Sequence, residues 1–234
     1  MEPNKENQNK KEGISKQQVI LIILIGLFTF YLFSVYQDHN KPRTTLTDTE
    51  LDQLYEKMQK ETAEQVKKIH NTKITMADVL GTNLPSRPSD PDATVQGYDV
   101  NNNGIRDDVE LDIFQTYPNS QKTRAVLLQY ALTQHMRMTQ PIANEGIVNA
   151  VSSENSRAYA CVSNIFSFKE LSSFSKEGHK KAWDFIDELR EFIQKRQNNT
   201  PAREEAVDYL YEGNFTGGKD LGSQCDINLT KLPN

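Results

Sequence analysis

The stretch DVNNNGIRDDVE, Asp99 to Glu110, carries oxygen-bearing side chains at the spacing D-x-[DN]-x-[DN]-G-x5-E. Calcium is a hard cation that takes six to eight oxygens, and a loop of this kind supplies them from its positions 1, 3, 5, 7, 9 and 12. Those positions are here Asp99, Asn101, Asn103, the backbone carbonyl of Ile105, Asp107 directly or through water, and Glu110 with both carboxylate oxygens. Gly104 stands where the chain must turn sharply and a Cβ would be in the way. Asp108 is off the ligand positions and is expected to face solvent or to cap the helix that follows. The competing reading is an Asx-rich turn without metal, since Asn and Gly favour turns by themselves. Six matched positions favour the cation, so Ca2+ is the expected cofactor.

Only Asp99, Asp107 and Glu110 bring negative charge to this loop. So few charges predict weak affinity, on the order of 10⁻⁴ to 10⁻³ M, which suits a site filled outside a cell and empty inside it. No helix can enter the loop, because Pro91 and Gly97 stand in its place, and no second loop is present to pair with it. A helix-opening switch of the cytosolic-sensor kind is therefore not expected.

Other chemistry finds little support. His39, His70, His135 and His179 stand far apart and in no H-E-x-x-H spacing, and neither a G-x-S-x-G elbow nor a Walker or dinucleotide glycine pattern occurs. His135, near the end of a helix, is expected to serve the last carbonyls rather than to act as a base. Asp184 with Glu188, and Asp187 with Glu191, fall at helical spacing among Lys180, Lys181 and Arg190 and read as a solvated face. Asn198, Asn214 and Asn228 head glycosylation patterns that matter only in a eukaryotic secretory pathway. A net charge of −5 and the lack of a basic stripe argue against nucleic acid as a partner.

The elements that must position the loop are helices. Asp107 to Thr116 leaves it directly. Ser120 to Met138 follows, with Val126, Leu127, Tyr130, Ala131 and Gln134 at helical spacing. Asn144 to Phe166 comes next, then Lys176 to Arg196, presenting Trp183, Ile186, Leu189, Phe192 and Ile193. Thr200-Pro201 caps and opens a last helix to Tyr211. No strand pattern of comparable quality appears, so the expected class is all-α. Upstream, residues 81–98 carry Pro85, Pro88, Pro91 and Gly97 and read as an extended linker. Residues 37–80 hold a juxtamembrane stalk helix begun at Thr47 or Asp48, with Leu51, Tyr55, Met58, Val66 and Ile69 on one face. Thr62 and Gln65 interrupt that stripe, so docking on the domain is expected rather than a coiled coil.

The run from Val19 to Tyr36 holds no charge over about 18 residues, long enough to span roughly 27 Å of hydrocarbon. It is too long for the apolar core of a cleaved signal peptide and lacks an A-x-A site, so residues 19–36 are expected to be an uncleaved transmembrane signal anchor. Residues 1–18 then form a disordered cytoplasmic tail. Lys5, Lys10, Lys11 and Lys16 before the span, against Lys41 and Arg43 after it, put the N-terminus in the cytoplasm and the rest outside. The two cysteines, Cys161 and Cys225, lie in the outer part, as a disulfide in an oxidising compartment would require; two buried free thiols are the alternative.

The loop resembles the calcium loops of secreted proteins, such as thrombospondin type 3-like repeats, more than those of cytosolic sensors. Together with Asn199-Thr200-Pro201-Ala202-Arg203 and the late Cys225-Asp226, it is similar to a group of uncharacterised envelope proteins of Gram-negative bacteria. The resemblance covers Gly97 to Asp226 and brings no activity with it. It implies a periplasmic helical domain with one calcium in its EF-hand-like loop and one disulfide; with the anchor, the expected protein is a single-pass inner-membrane protein whose helical domain is residues 99–234. The expected role is structural or in protein interaction within the envelope. The alternatives are an envelope enzyme, such as a hydrolase with fold-assembled carboxylates, and a subunit of an envelope assembly.

Overall fold

The computed structural model describes residues 27–34, 36, 46–141, 144–211 and 223–233, with the side chains of 209–211 excepted. Among these residues the structure is all-helical and no strand occurs. The chain divides into two compact units, Met1–Gln53 and Leu54–Asn234.

In the first unit, residues 27–34 and 36 are helical with exposed side chains. The expected tail, 1–18, and the anchor residues 19–26 and 35 lie outside the described residues. Among those described, no helix is long and apolar enough to cross a membrane. Thr47 starts helix α1 (Asp48–Asn71) with a reciprocal box: its N–H donates to Glu50 Oε2 at 2.8 Å, and Glu50 N–H donates to Thr47 Oγ1 at 3.3 Å.

The second unit is built around one helix. After α1 come α2 (Met76–Leu80), α3 (Asp107–Thr116), α4 (Gln121–Thr139), α5 (Glu145–Ser163), α6 (Phe168–Ser173), α7 (Lys176–Gln197) and α8 (Pro201–Tyr211). A 3₁₀ turn, Leu229–Lys231, lies near the C-terminus. Helix α4 touches α2, α3, α5, α7 and α8, and its Val126, Leu127, Leu128, Tyr130, Ala131 and Leu132 are all buried. The sequence pattern predicts one apolar face for this segment; in the structure it is covered on every side, and even Gln129, Thr133 and Gln134 are buried. Those polar groups find partners, as when Gln134 Nε2 donates to Asn155 Oδ1 at 2.6 Å and Gln129 Nε2 to the Gln224 carbonyl at 2.8 Å.

Helix starts follow local chemistry. Ser120, Asn144 and Ser175 each accept a backbone N–H three residues on, and the boxes Thr75/Asp78 and Ser167/Glu170 start the short helices α2 and α6. Neither short helix is expected from periodicity, being under two turns long. On α7, Ile186, Leu189 and Ile193 are buried as the pattern requires, whereas Trp183 is 48 % exposed. The acidic residues of α7 do form the solvated face, with Lys180 on Asp184 at 2.7 Å and Lys195 on Glu191 at 2.8 Å.

Only the end of α1 docks. Val66 packs on the core and Ile69 is buried, while Leu51, Leu54, Tyr55 and Met58 are exposed. The interrupting residues make the contacts: Asn144 Nδ2 donates to Thr62 Oγ1 at 2.6 Å, and Gln65 Nε2 to Gln140 Oε1 at 2.5 Å. At its C-terminal end, His70 and Lys73 reach Glu154 of α5 at 2.8 and 2.6 Å. Glu154 also takes Arg157 at 2.7 Å, and Arg157 takes Asp226 at 2.6 Å. Burial acts against the Glu154 charge, but these donors together hold its carboxyl below the usual carboxylate range.

Cys161 and Cys225 form the disulfide. The bond fastens the C-terminal segment beside this charge cluster, where the Asp226 N–H donates to Gln129 Oε1 at 2.9 Å and the Ile74 N–H donates to Asp226 Oδ2 at 3.1 Å. The two half-cystines are 64 residues apart. In the chain-entropy account such a closure contributes about 4 kcal/mol. The double variant C161S/C225S is expected to lose about that much in urea denaturation, equally with and without calcium, and a loss under 1 kcal/mol would refute the assignment.

Candidate metal centre

Loop 99–110 is a turn built from its own side chains. Asp99 accepts the Asn103 N–H on Oδ1 at 3.1 Å and the Gly104 N–H on Oδ2 at 2.9 Å. Asn101 Oδ1 accepts the Asn103 N–H at 3.3 Å, and Asn103 Oδ1 accepts the Ile105 N–H at 2.9 Å. These Asx turns curl the backbone so that alternate side chains point to one side. The curl requires positive φ at Asn102 (+56°) and Gly104 (+82°). A Cβ at Gly104 would also stand 2.6 Å from Leu132 Cδ1 of α4, so that position admits only glycine without a shift.

The first turn of α3 closes the loop. The Asp107 N–H donates to the Tyr98 carbonyl at 2.8 Å, and its carboxylate accepts the Val100 N–H at 3.1 Å. Glu110 reaches back under the turn, where Asn101 Nδ2 donates to its Oε2 at 2.9 Å and Asn103 Nδ2 to its Oε1 at 3.0 Å. Asn101, Asn103 and Glu110 are thus brought together at their polar tips. Asp99 and Asp107 belong to the same turn but spend oxygens on backbone N–H groups, and the Ile105 side chain is buried in the core.

Glu110 is 1 % exposed and Asp107 is wholly buried. Burial first, with the Asp78 and Asp107 charges behind it, pushes the Glu110 carboxyl up to about 7 against the two amide donors. Asp107 is raised too, by burial and then by Asp99 and Asp108. None of the ion pairs among the described residues involves Asp99, Asp107 or Glu110. No family model, curated protein or solved structure matches the chain.

The donor set is all oxygen, which fits a hard cation and not a thiolate- or imidazole-seeking metal. Among the described residues no three His, Cys, Asp or Glu side chains are gathered closely enough to hold a metal alone. A cation here would draw on Asn and carbonyl oxygens, and it would have to displace the present bonds of the Asn101 and Asn103 amides, whose oxygens accept the Asn103 and Ile105 N–H groups and whose nitrogens face Glu110.

Four residues that the motif does not include hold the loop. His135 of α4 places Nδ1 2.8 Å from the Gly104 carbonyl and Nε2 2.9 Å from the Gln96 carbonyl, so it serves the loop's carbonyls instead of those of its own helix. Arg106 is fully buried and grips Asp108 with Nε and Nη2 at 2.6 and 2.7 Å while Nη2 also donates to the Arg196 carbonyl at 2.7 Å. Asp108 is partly exposed and does not cap the helix: the Arg106 fork claims both its oxygens. Arg203 of α8 is fully buried under the 81–98 segment, donating to the carbonyls of Pro91, Thr94 and Val95 at 2.7, 3.0 and 2.9 Å and to Asp92. Asp78 of α2 is the fourth, 3.4 Å from Asn103 Nδ2. Only the T-x-x-D pattern at Thr75 to Asp78 was a signal for any of them, and it signals a helix start, not a metal.

A cavity of about 660 Å³ opens over the loop, walled by Lys73, Asp78, Asn101, Asn103 and His135 among others. Both His135 nitrogens face backbone carbonyls, so the ring is not placed to work as a base on this wall. A second cavity, about 770 Å³, lies beside Lys122, Phe166 and the 223–230 segment. Its one carboxylate, Asp226, is bound to Arg157 and the Ile74 N–H.

Proposed function

We propose that this chain is a membrane-anchored calcium-binding domain of the bacterial periplasm, in which the ion is structural. The observation that supports the reading is Glu110: a buried carboxylate at the twelfth position of the turn, with amide donors and, among the described residues, no cationic partner. A divalent cation would supply the missing charge. Asp99, Asn101, Asn103, the Ile105 carbonyl, Asp107 and Glu110 would hold it. The anchor reading rests on the uncharged run from Val19 to Tyr36 and the lysines before it, the outward placement on that bias together with the disulfide.

Calcium would fix α3 against α4 and stabilise by mass action, about 1.4 kcal/mol at tenfold excess over the dissociation constant. Full-length protein in detergent is expected to melt a few degrees higher at 10 mM calcium than in chelator. Glu110→Ala should abolish the rise. No rise in the wild type, or the same rise in the variant, refutes the reading.

A partner-binding role within the envelope is favoured by the exposed Leu54, Tyr55 and Met58 of α1, an apolar group of the kind that marks contact surfaces. Crosslinking of the full chain in its membrane would identify what covers them.

A further inference from the structure

The two sulfurs of the disulfide are not equally open. Cys161, on α5, is fully buried, whereas Cys225 is half-buried and stands on the wall of the cavity of about 770 Å³, beside Gln224 and Asp226. A thiolate that enters this cavity meets the Cys225 sulfur and not that of Cys161. Arg157, four residues before Cys161 on the same helix face, favours the sulfur that must then leave as a thiolate.

What the bond holds is a set of polar ties on either side of Cys225. The Gln224 carbonyl accepts Gln129 Nε2 at 2.8 Å and Arg157 Nη1 at 3.1 Å. Asp226 takes Arg157 at 2.6 Å, and its Oδ2 accepts, at 3.1 Å, the N–H of Ile74 in the junction between α1 and α2. Two residues thus join α4, α5 and that junction. If Asp226 moves out to water, Glu154 keeps His70, Lys73 and Arg157, so no buried acid is stranded. Docked and released arrangements are both satisfied, and the covalent bond decides between them.

We propose that Cys225 is the point of attack for a dithiol reductant, and that the disulfide is a redox latch which holds residues 223–226 on the α1–α2 junction when oxidised and releases them when reduced. One thiolate of the reductant attacks Cys225 Sγ and forms a mixed disulfide as the Cys161–Cys225 bond breaks; Cys161 leaves as a thiolate and takes up a proton. The second thiolate of the reductant then attacks its own first sulfur, closes the reductant's disulfide and frees Cys225, which is protonated in turn. Two electrons pass from the dithiol to the protein. Leu229 is buried and Ile227 and Leu232 pack on the core, which keeps the release local. The latch stands whether or not loop 99–110 holds calcium.

The test uses full-length protein in detergent. Oxidised wild type is exposed briefly to reduced glutathione, quenched in acid and mapped by mass spectrometry. The mixed disulfide is expected on Cys225 in about tenfold excess or more over Cys161. An even split, an excess on Cys161, or no adduct short of denaturation overturns the point of attack. Backbone NMR then compares oxidised protein with protein reduced by dithiothreitol. The amide signal of Ile74, which is remote in sequence from both sulfurs, should move toward its solvent-exposed position together with that of Asp226, while those of Val109 and Ile113 in α3 stay. An Ile74 signal that does not move shows a segment docked in both states and overturns the latch. Loss of native signals throughout would overturn it too, because the bond would then be a crosslink on which the whole unit depends.

Discussion

Arg203→Ala is expected to destabilise the Leu54–Asn234 unit by about 2–4 kcal/mol, as a fully buried guanidinium and the backbone carbonyls it serves lose each other. The guanidinium is fully buried and donates to the carbonyls of Pro91, Thr94 and Val95, to Asn199 Oδ1 at 2.5 Å and to Asp92. Alanine removes these donors, but Asp92 is 42 % exposed and keeps Asn199, and the Thr94 carbonyl keeps the Gly97 N–H, so the cost falls on the Pro91 and Val95 carbonyls at about 1–3 kcal/mol each. Lysine would not rescue the fold, because an ammonium cannot span acceptors arranged around a planar fork. The effect should reach the metal site. The clamped stretch ends at Gly97, whose φ of +69° brings its backbone so near Arg106 that a Cβ would stand 2.5 Å from Cδ. One residue later Tyr98 accepts the Asp107 N–H, and Asp99 begins the loop. Urea denaturation in chelator measures the first effect and calcium calorimetry the second. A loss below 1 kcal/mol, with Arg203→Lys equal to wild type, would mean that the segment is held by something else.

That segment also shows where reading the sequence stops. Residues 81–98 carry prolines enough to exclude a long helix, and the sequence supports nothing firmer than an extended linker. What binds it is a side chain more than a hundred positions later, and a hydrogen bond across that separation leaves no local pattern. Helices are different, because their determinants are local. Pro201–Tyr211 is placed by the Thr200 cap and the proline at its first position, Asp107–Thr116 follows the loop without a side-chain cap, and the structure has both at those bounds. Periodicity still misleads about burial on the central helix. Its expected stripe is real, but α4 is enclosed by five other helices, and its polar faces are buried as well. The loop residues could be named from spacing alone because each answers to a neighbour within a dozen positions. Asp78, His135, Arg106 and Arg203, which hold that loop in place, answer to groups in other elements or to carbonyls that carry no sequence identity. The cluster of Lys73, Glu154, Arg157 and Asp226 is hidden for the same reason.

Glu110→Gln separates a calcium ligand from an ordinary buried acid, through a reversal of sign. In chelator the folded carboxyl protonates at about 7, above its usual 4.5. Between those values the folded chain binds more protons than the unfolded one, so wild-type stability falls as pH rises from about 4.5 through about 7 and is level above. The fall is up to about 3 kcal/mol at 1.36 kcal/mol for each unit. Glutamine carries no charge to strand and should be free of this slope, so at pH 8 in chelator the variant is expected to be the more stable protein. The raised Asp107 adds to the wild-type slope, and the lowered Glu154 acts with the opposite sign in acid, but both are present in the variant and cancel in the difference. With calcium at 10 mM the order should invert. The ion binds the ionised carboxylate, removes the cost of burying it and stabilises the wild type further by mass action, while the variant has lost the ligand that offers two oxygens. Melting curves of both proteins at pH 5, 6, 7 and 8, with and without calcium, decide the matter. A variant that is less stable than wild type at pH 8 in chelator would show that Glu110 is there for its own hydrogen bonds from Asn101 and Asn103. A variant that still gains stability from calcium would place the ion elsewhere.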